Sequence, residues 1–400
     1  MAKAITSTPR RPGSSTQTGE EVWLRRVAGA AILYLQLQGA LGLAWDIQWH
    51  TSVGRDTFLT PPHILLYTSV ALSGLVCLGM VLLETLRYRQ GKGVHDGNSM
   101  RVLGFFHAPL GFVVIGFGYL TVALAAPLDN YWHELYGIDV ALWAPFHMMG
   151  LIGAFIGGLG SVYLWSAFLV EARQRGGDLS WRRPEIWAVL LGLMFLLGHV
   201  LTMTRPALRL SPVLDLGLLH VMTYPVLLAI GIPWILVAAN RVTSRLGAAS
   251  IVVLLLIGRD FLFQLFVPWA VHTGAAAEGL PFRDPSLAPS FSLTPLLFDL
   301  GLLVLAVVVD LLVWLSPLRG SRKRSFPATL GIVAGAGLYL VAVSFTYYWA
   351  PTVTLPPGVH AGTPADWTAA LLALPIALSS GALSSVLGDG VAQVWQRNPR

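Results

Sequence analysis

The chain has 400 residues, of which 55% are hydrophobic and only 12% charged. Soluble domains carry about 25% charged residues, so this composition excludes an ordinary water-soluble globule and points to lipid as the solvent. The formal net charge of +6 could suggest a nucleic-acid partner, but its placement along the chain argues for membrane topology instead.

Residues 1–22 are polar, rich in Ser, Thr, Pro and Gly, and read as a disordered cytoplasmic tail. Beyond them lie ten apolar runs, each long enough to cross a bilayer at roughly 18 residues or more. They fall at 27–45, 63–86, 102–126, 146–170, 185–204, 213–239, 247–271, 292–317, 328–350 and 367–387. The last two are rich in Gly, Ala and Ser, which suits close helix packing in lipid. No small-residue cleavage site accompanies the first run, which reads as an uncleaved anchor.

With the amino terminus inside, Arg55, Arg205, Arg209 and Arg283 fall in the opposite loops and Arg259 within a span. These five exceptions leave 21 of the 26 Lys and Arg residues on one side. That is the positive-inside bias, and it predicts both termini in the cytoplasm. The expected fold is an all-α, polytopic transmembrane helix bundle of about ten spans. A lone cysteine, Cys77, excludes an intrachain disulfide and any Cys-rich metal site.

The first two hairpins repeat one another. Asp46, His50, Gly54, Asp56 and His63 line up with Asp129, His133, Gly137, Asp139 and His147. The offset is 83 positions for the first four and 84 for the last. An Asp and a His four apart share one helix face, about 5–6 Å apart at Cβ, so both side chains can point at one ion. A Gly then ends the helix, and Pro61-Pro62 or Pro145 opens the next span just before the second His. Each copy therefore offers one carboxylate and two imidazoles at one depth, a set suited to copper, non-haem iron or zinc. A single copy would read as readily as a hydrogen-bonded interfacial cap. Two copies in register favour metal at Asp46, His50, His63 and at Asp129, His133, His147.

Asp56 and Asp139, six residues after the first His of each copy, could hold an imidazole N–H or cap the loop. Arg55 reads as a local ion-pair partner of Asp56. His199, His220 and His272 lie toward the same face and read mainly as hydrogen-bonded structure. His95, His107 and His360 are not expected ligands. Asp260, Asp299 and Asp310 fall inside spans, with Arg259 adjacent. Charges in a bilayer are costly, so these mark either a proton path or structural pairing.

The stretch from Asp46 to His63, with Trp49-His50, Arg55-Asp56-Thr57 and Thr60-Pro61, resembles the C subunit of the copper membrane monooxygenases. The second motif of that family also matches, ending here in Ala144-Pro145-Phe146-His147, with Asp129 where the family has Asn. The resemblance covers residues 23–172, the duplicated metal-binding region. The spans of residues 173–400 form a C-terminal bundle without a counterpart in that subunit.

The resemblance implies two neighbouring copper sites and oxidation of a small apolar substrate with O2. It also implies other monooxygenase subunits as partners, with further copies of this chain as another candidate. The charge bias puts the motifs on the outer face of what reads as a prokaryotic cytoplasmic membrane. The alternative is a membrane protein that handles or transports copper. Iron or zinc in the same ligand sets is a third reading. No nucleic-acid partner is expected.

Overall fold

The computed structural model describes residues 19–54, 57–92, 99–137, 142–176, 180–208, 213–215, 220–315, 325–346 and 367–396. Eleven α-helices dominate. They are α1 (Gly19–Ser52), α2 (Pro61–Arg89), α3 (Leu110–Tyr136), α4 (Pro145–Gln174), α5 (Pro184–Thr204), α6 (Thr223–Gly231), α7 (Pro233–Thr243), α8 (Ala248–Ala277), α9 (Thr294–Leu315), α10 (Ser325–Ser344) and α11 (Trp367–Gln396). With α6 and α7 counted as one interrupted element, the described residues contain ten helices long and apolar enough to cross a membrane. The all-α polytopic reading holds, and the chain is an integral membrane protein.

Side-chain distribution carries the same message. Leu72, Leu75, Leu78, Leu82 and Leu86 recur every three or four residues along α2, and all are exposed. Such a stripe faces lipid, because water would penalise each exposed Leu by roughly 1.5–3 kcal/mol relative to burial. Leu120, Leu124 and Leu128 continue the pattern on α3.

The helix starts follow from proline chemistry. Pro61, Pro145, Pro184 and Pro233 each stand in the first turn, where the missing N–H costs nothing and the fixed φ already suits the helix. Pro233 also removes a donor within the sixth span, and this divides α6 from α7 at Ile232.

The expected tail of residues 1–22 is cut short, because α1 is already helical from Gly19 with Glu21 and Val22 buried. Two predicted spans begin later than expected. The third does not start at 102. Strand β1 (Ser99–Val102) pairs antiparallel with β2 (Phe106–Pro109) before α3 begins at Leu110. Leu103 and Gly104, both at positive φ, make the turn, as a tight hairpin whose twist matches its strands requires. That helix also continues through Pro127 to Tyr136, ten residues beyond the expected end, and so carries Asp129 and His133. Neighbouring helices in a membrane bundle can compensate the donor that proline lacks. The sixth span likewise begins late. Strand β3 (Val213–Asp215) pairs with β4 (His220–Met222), and helix starts only at Thr223.

The interior is organised around α5. Ile186, Leu190, Leu193, Leu196 and Leu197 are fully buried, as befits a helix that is apolar all round. It packs on α1, α4, α6, α7 and α8. One apolar cluster runs from Ala28 on α1 to Trp395 on α11, so the duplicated hairpins and the later helices share a core. Small residues allow the closest approaches. A Cβ on Gly118 of α3 would stand 2.5 Å from the Gly157 backbone nitrogen of α4. Gly331 and Gly335 of α10 meet Gly381 and Ala377 of α11 in the same way.

Charges fix the first hairpin at its other end. Arg25 Nε and Nη2 donate to Glu84 Oε1 and Oε2 at 2.9 and 2.8 Å, a buried two-pronged bond between α1 and α2. Arg26 pairs with buried Glu185 at 2.6 Å, joining α1 to α5. Leaving either partner alone in the interior would be expensive, so these pairs set helix register.

Candidate metal centre

Both Asp-x3-His pairs occupy the last turns of their helices, α1 and α3. The third residue of each set, His63 or His147, stands in the first turn of the returning helix, α2 or α4. The chain reverses between them because Gly54 (φ +73°) and Gly137 (φ +86°) take backbone conformations that side chains disfavour.

The ligand atoms converge. Asp46 Oδ1 lies 3.6 Å from His50 Nε2 and 3.0 Å from His63 Nε2. Asp129 Oδ2 lies 3.3 Å from both His133 Nε2 and His147 Nε2. Within each set the candidate atoms are all within 4.8 Å of one another. Two ligands about 2.1 Å from one ion are roughly 3.0–3.4 Å apart at octahedral or tetrahedral angles, so the spacing suits a shared cation. Among the described residues these are the two groups of three that could hold a metal.

Ring tautomers support the assignment. His63 Nδ1 lies 3.0 Å from the Thr57 carbonyl oxygen. A carbonyl only accepts, so Nδ1 carries the hydrogen and Nε2 is the atom turned to Asp46, as a ligand lone pair in the neutral ring or as a second N–H donor in the protonated one. His133 Nδ1 makes the matching bond to the Gly137 carbonyl at 3.2 Å. In the neutral rings each lone pair faces a carboxylate oxygen, a contact that a shared cation would stabilise. Asp46 Oδ1 and Asp129 Oδ1 are also buried without a hydrogen-bond donor among the described residues. Orphaned buried oxygens of this kind fit a site designed for a positive ion.

The two sets adjoin. The His50 and His133 rings lie 6.4 Å apart, centroid to centroid, in a stacked arrangement. Both triads are therefore at the same end of the bundle.

Surrounding residues hold this geometry. Trp49, fully buried beside His50, packs with Val53 on Val267, Val271 and Ala275 of α8. In the second copy, Trp132 packs edge-on to Phe146 at 5.8 Å. Thr57 N donates to Thr60 Oγ1 at 2.8 Å, and Thr60 Oγ1 returns a bond of the same length to the Thr57 carbonyl. That closed turn aims the carbonyl which orients His63.

Three contributors were not legible in the motif. Tyr67, stacked on the His63 ring at 5.4 Å, could have been found from its i+4 position. Thr60 lies in the motif, but its hydroxyl could have bonded elsewhere. Arg283 donates its backbone N–H to the Ser52 carbonyl at 2.8 Å and stacks its side chain against Gly54. It lies more than 200 residues away and gave no signal.

Arg55, Asp56, Asp139, His95 and His360 lie outside the described residues. His199 Nδ1 lies 2.8 Å from the Phe195 carbonyl. His272 Nε2 lies 3.0 Å from the Pro289 carbonyl, a structural bond. His107 stacks on Tyr88, and His220 is exposed on β4.

The intramembrane acids divide by role. Asp310 accepts from Asn240 Nδ2 at 2.7 Å, from Ser250 N at 2.9 Å and from Ser250 Oγ at 2.6 Å. It caps the amino terminus of α8 and binds α7 and α8 to α9, which is structural pairing. Asp260 pairs with Arg259 at 2.6 Å. Asp299 is buried beside Asp260, and its Oδ2 has no hydrogen-bond partner among the described residues.

No family model, curated protein or solved structure matches the chain. The chemistry of the centre therefore rests on its own geometry.

Proposed function

We propose that the chain is a copper-binding membrane protein related to the C subunit of the copper membrane monooxygenases. In this reading it oxidises a small apolar substrate with O2, either alone or with partner subunits. The observation that carries the reading is the paired convergence: two Asp-His-His sets whose His50 and His133 rings stack at 6.4 Å.

Asp46, His50 and His63 would hold one ion, and Asp129, His133 and His147 the other. Imidazole with a single carboxylate suits copper, and iron or zinc would also be accepted by such donors. Bound copper would supply the electron transfer that O2 activation requires. The chain's own groups do the rest. Thr57 and Gly137 carbonyls engage Nδ1 of His63 and His133, which would leave Nε2 as the ligand atom of each neutral ring. In this reading the apolar helices around the site would exclude water and admit a small hydrophobic molecule. The orientation that goes with this reading places both motifs on the outer face and both termini in the cytoplasm.

A copper carrier would use Asp260, Asp299 and Asp310 as a run of ligands across the bilayer. Asp310 and Asp260 are already committed to Asn240, Ser250 and Arg259. The geometry therefore supports the oxidase reading better.

The test replaces His50 or His133 by Ala and measures bound copper and substrate oxidation in the same membranes. Joint loss of both supports the enzyme. Collapse of copper uptake into cells, with no oxidation detectable even in the parent protein, overturns it.

A further inference from the structure

A second polar site lies behind the metal-bearing helix. A cavity of about 180 Å³ opens between α1, α5, α8 and the segment 289–295. Ala40, Leu43, Ala44 and Ile47 of α1 line it, while Asp46 and His50 point to the triads. The cavity is thus separate from the metal centre, although both share one helix.

Its polar lining includes two guanidinium groups, Arg205 and Arg259, beside Gln48, His199, Thr202, Asp260 and Gln264. Arg205 stands exposed at the cavity, with Asp299 and Tyr224 as electrostatic neighbours. Arg259, near the middle of α8, lies against the cavity with its Nε and Nη2 engaged by Asp260 Oδ1. Gln264 Oε1 accepts from Ser292 N at 3.3 Å, so its amide N–H groups remain to donate. The acid that lines the cavity, Asp260, is already neutralised by Arg259. Leu43, Leu201, Phe263 and Val267 make the remaining wall apolar.

Room for the deep guanidinium is made on purpose. A Cβ at position 198 would collide with Arg259 Nη1, so only Gly lets that group lie against α5. An arginine at this depth is costly unless compensated. Arg259 is paired with Asp260, and buried Asp299 acts electrostatically on both Arg259 and the exposed Arg205.

We propose that this cavity binds the carboxylate of a small amphiphilic acid, with Arg205 and Arg259 on the anion and the apolar body along Leu43, Leu201 and Phe263. The inference goes beyond the copper reading and does not depend on it. A planar guanidinium matches a carboxylate with two parallel bonds, which a hydroxyl or an amine cannot reproduce.

The experiment uses the full chain, stripped of metal, in nanodiscs of zwitterionic phosphatidylcholine, with radiolabelled butanoate as the probe. Saturable binding is expected, with butan-1-ol and butylamine competing at least about tenfold more weakly. Arg205→Gln, at the exposed end of the cavity, should weaken butanoate about tenfold while the melting temperature holds. Gly198→Ala, which keeps every charge but displaces the Arg259 guanidinium, should weaken it as well. Equal competition by butan-1-ol, or unchanged binding in Arg205→Gln, would overturn the site. Displacement of butanoate by phosphatidylglycerol in the nanodisc, with the same Arg205 dependence, would overturn the free acid as occupant and assign the cavity to a lipid headgroup.

Discussion

The imidazole rings of His50 and His133 lie 6.4 Å apart, 29° from parallel, although 83 positions separate them in the chain. Each belongs to its own Asp-His-His set, so this contact joins the two groups that could hold a metal. His50→Ala and His133→Ala should each lower bound copper from about two ions to about one per chain. In each variant the spectrum of the surviving ion should change, because its neighbour has been removed. Elemental analysis with electron paramagnetic resonance on the same sample checks this. Unaltered spectra in both variants would mean the sites are independent.

The Thr57–Thr60 turn predicts an effect that is confined to one copy. Thr60→Val keeps the shape but removes the hydroxyl that holds the Thr57 carbonyl in place. His63 then loses its fixed tautomer. Affinity at the first site should fall about 10-fold or more, the usual cost of losing an orienting group. The second site should be unaffected, because His133 takes its orientation from Gly137. Competition titration with a copper chelator resolves the two classes of ion.

Asp129 stands where the resembled family has Asn, and its carboxylate faces two imidazoles at 3.3 Å. Asp129→Asn preserves the size and one acceptor oxygen while removing the charge. The second site should still bind, with a divalent ion held about 10-fold less tightly, since a neutral oxygen is a poorer donor. The chelator titration should show this change with the first site constant. Full loss of both ions would show that Asp129 holds the fold rather than a metal.

Asp310 separates the structural account from the carrier account. Its three bonds join α7, α8 and α9. Asp310→Ala leaves Asn240 and the start of α8 without their acceptor, at a cost of about 2–4 kcal/mol. Thermal unfolding should come at lower temperature, with copper content per folded chain unchanged. A variant as stable as the parent that no longer moves copper would favour transport.

The sequence by itself determined the solvent, the number of crossings and the ligand types. Runs of 18 or more apolar residues with few charges can only be satisfied as helices in lipid, so this information is local and additive. The repeat fixed which residues converge within each hairpin, because i,i+4 spacing and a Gly–Pro reversal are also local geometry.

Tertiary structure decided what depends on distant parts of the chain. The third span began later and ran past Pro127 because a hairpin turn at Leu103-Gly104 and packing against α4 outweighed hydropathy. Only packing could bring His50 to His133, or place Arg283 on the end of α1. The roles of Asp260, Asp299 and Asp310 were equally hidden. A carboxylate in a span reads the same in sequence whether it caps a helix, pairs with the next residue or lies beside a second acid. For Asp310 the difference lies in the donors that neighbouring helices bring to it, from 60 and 70 residues away.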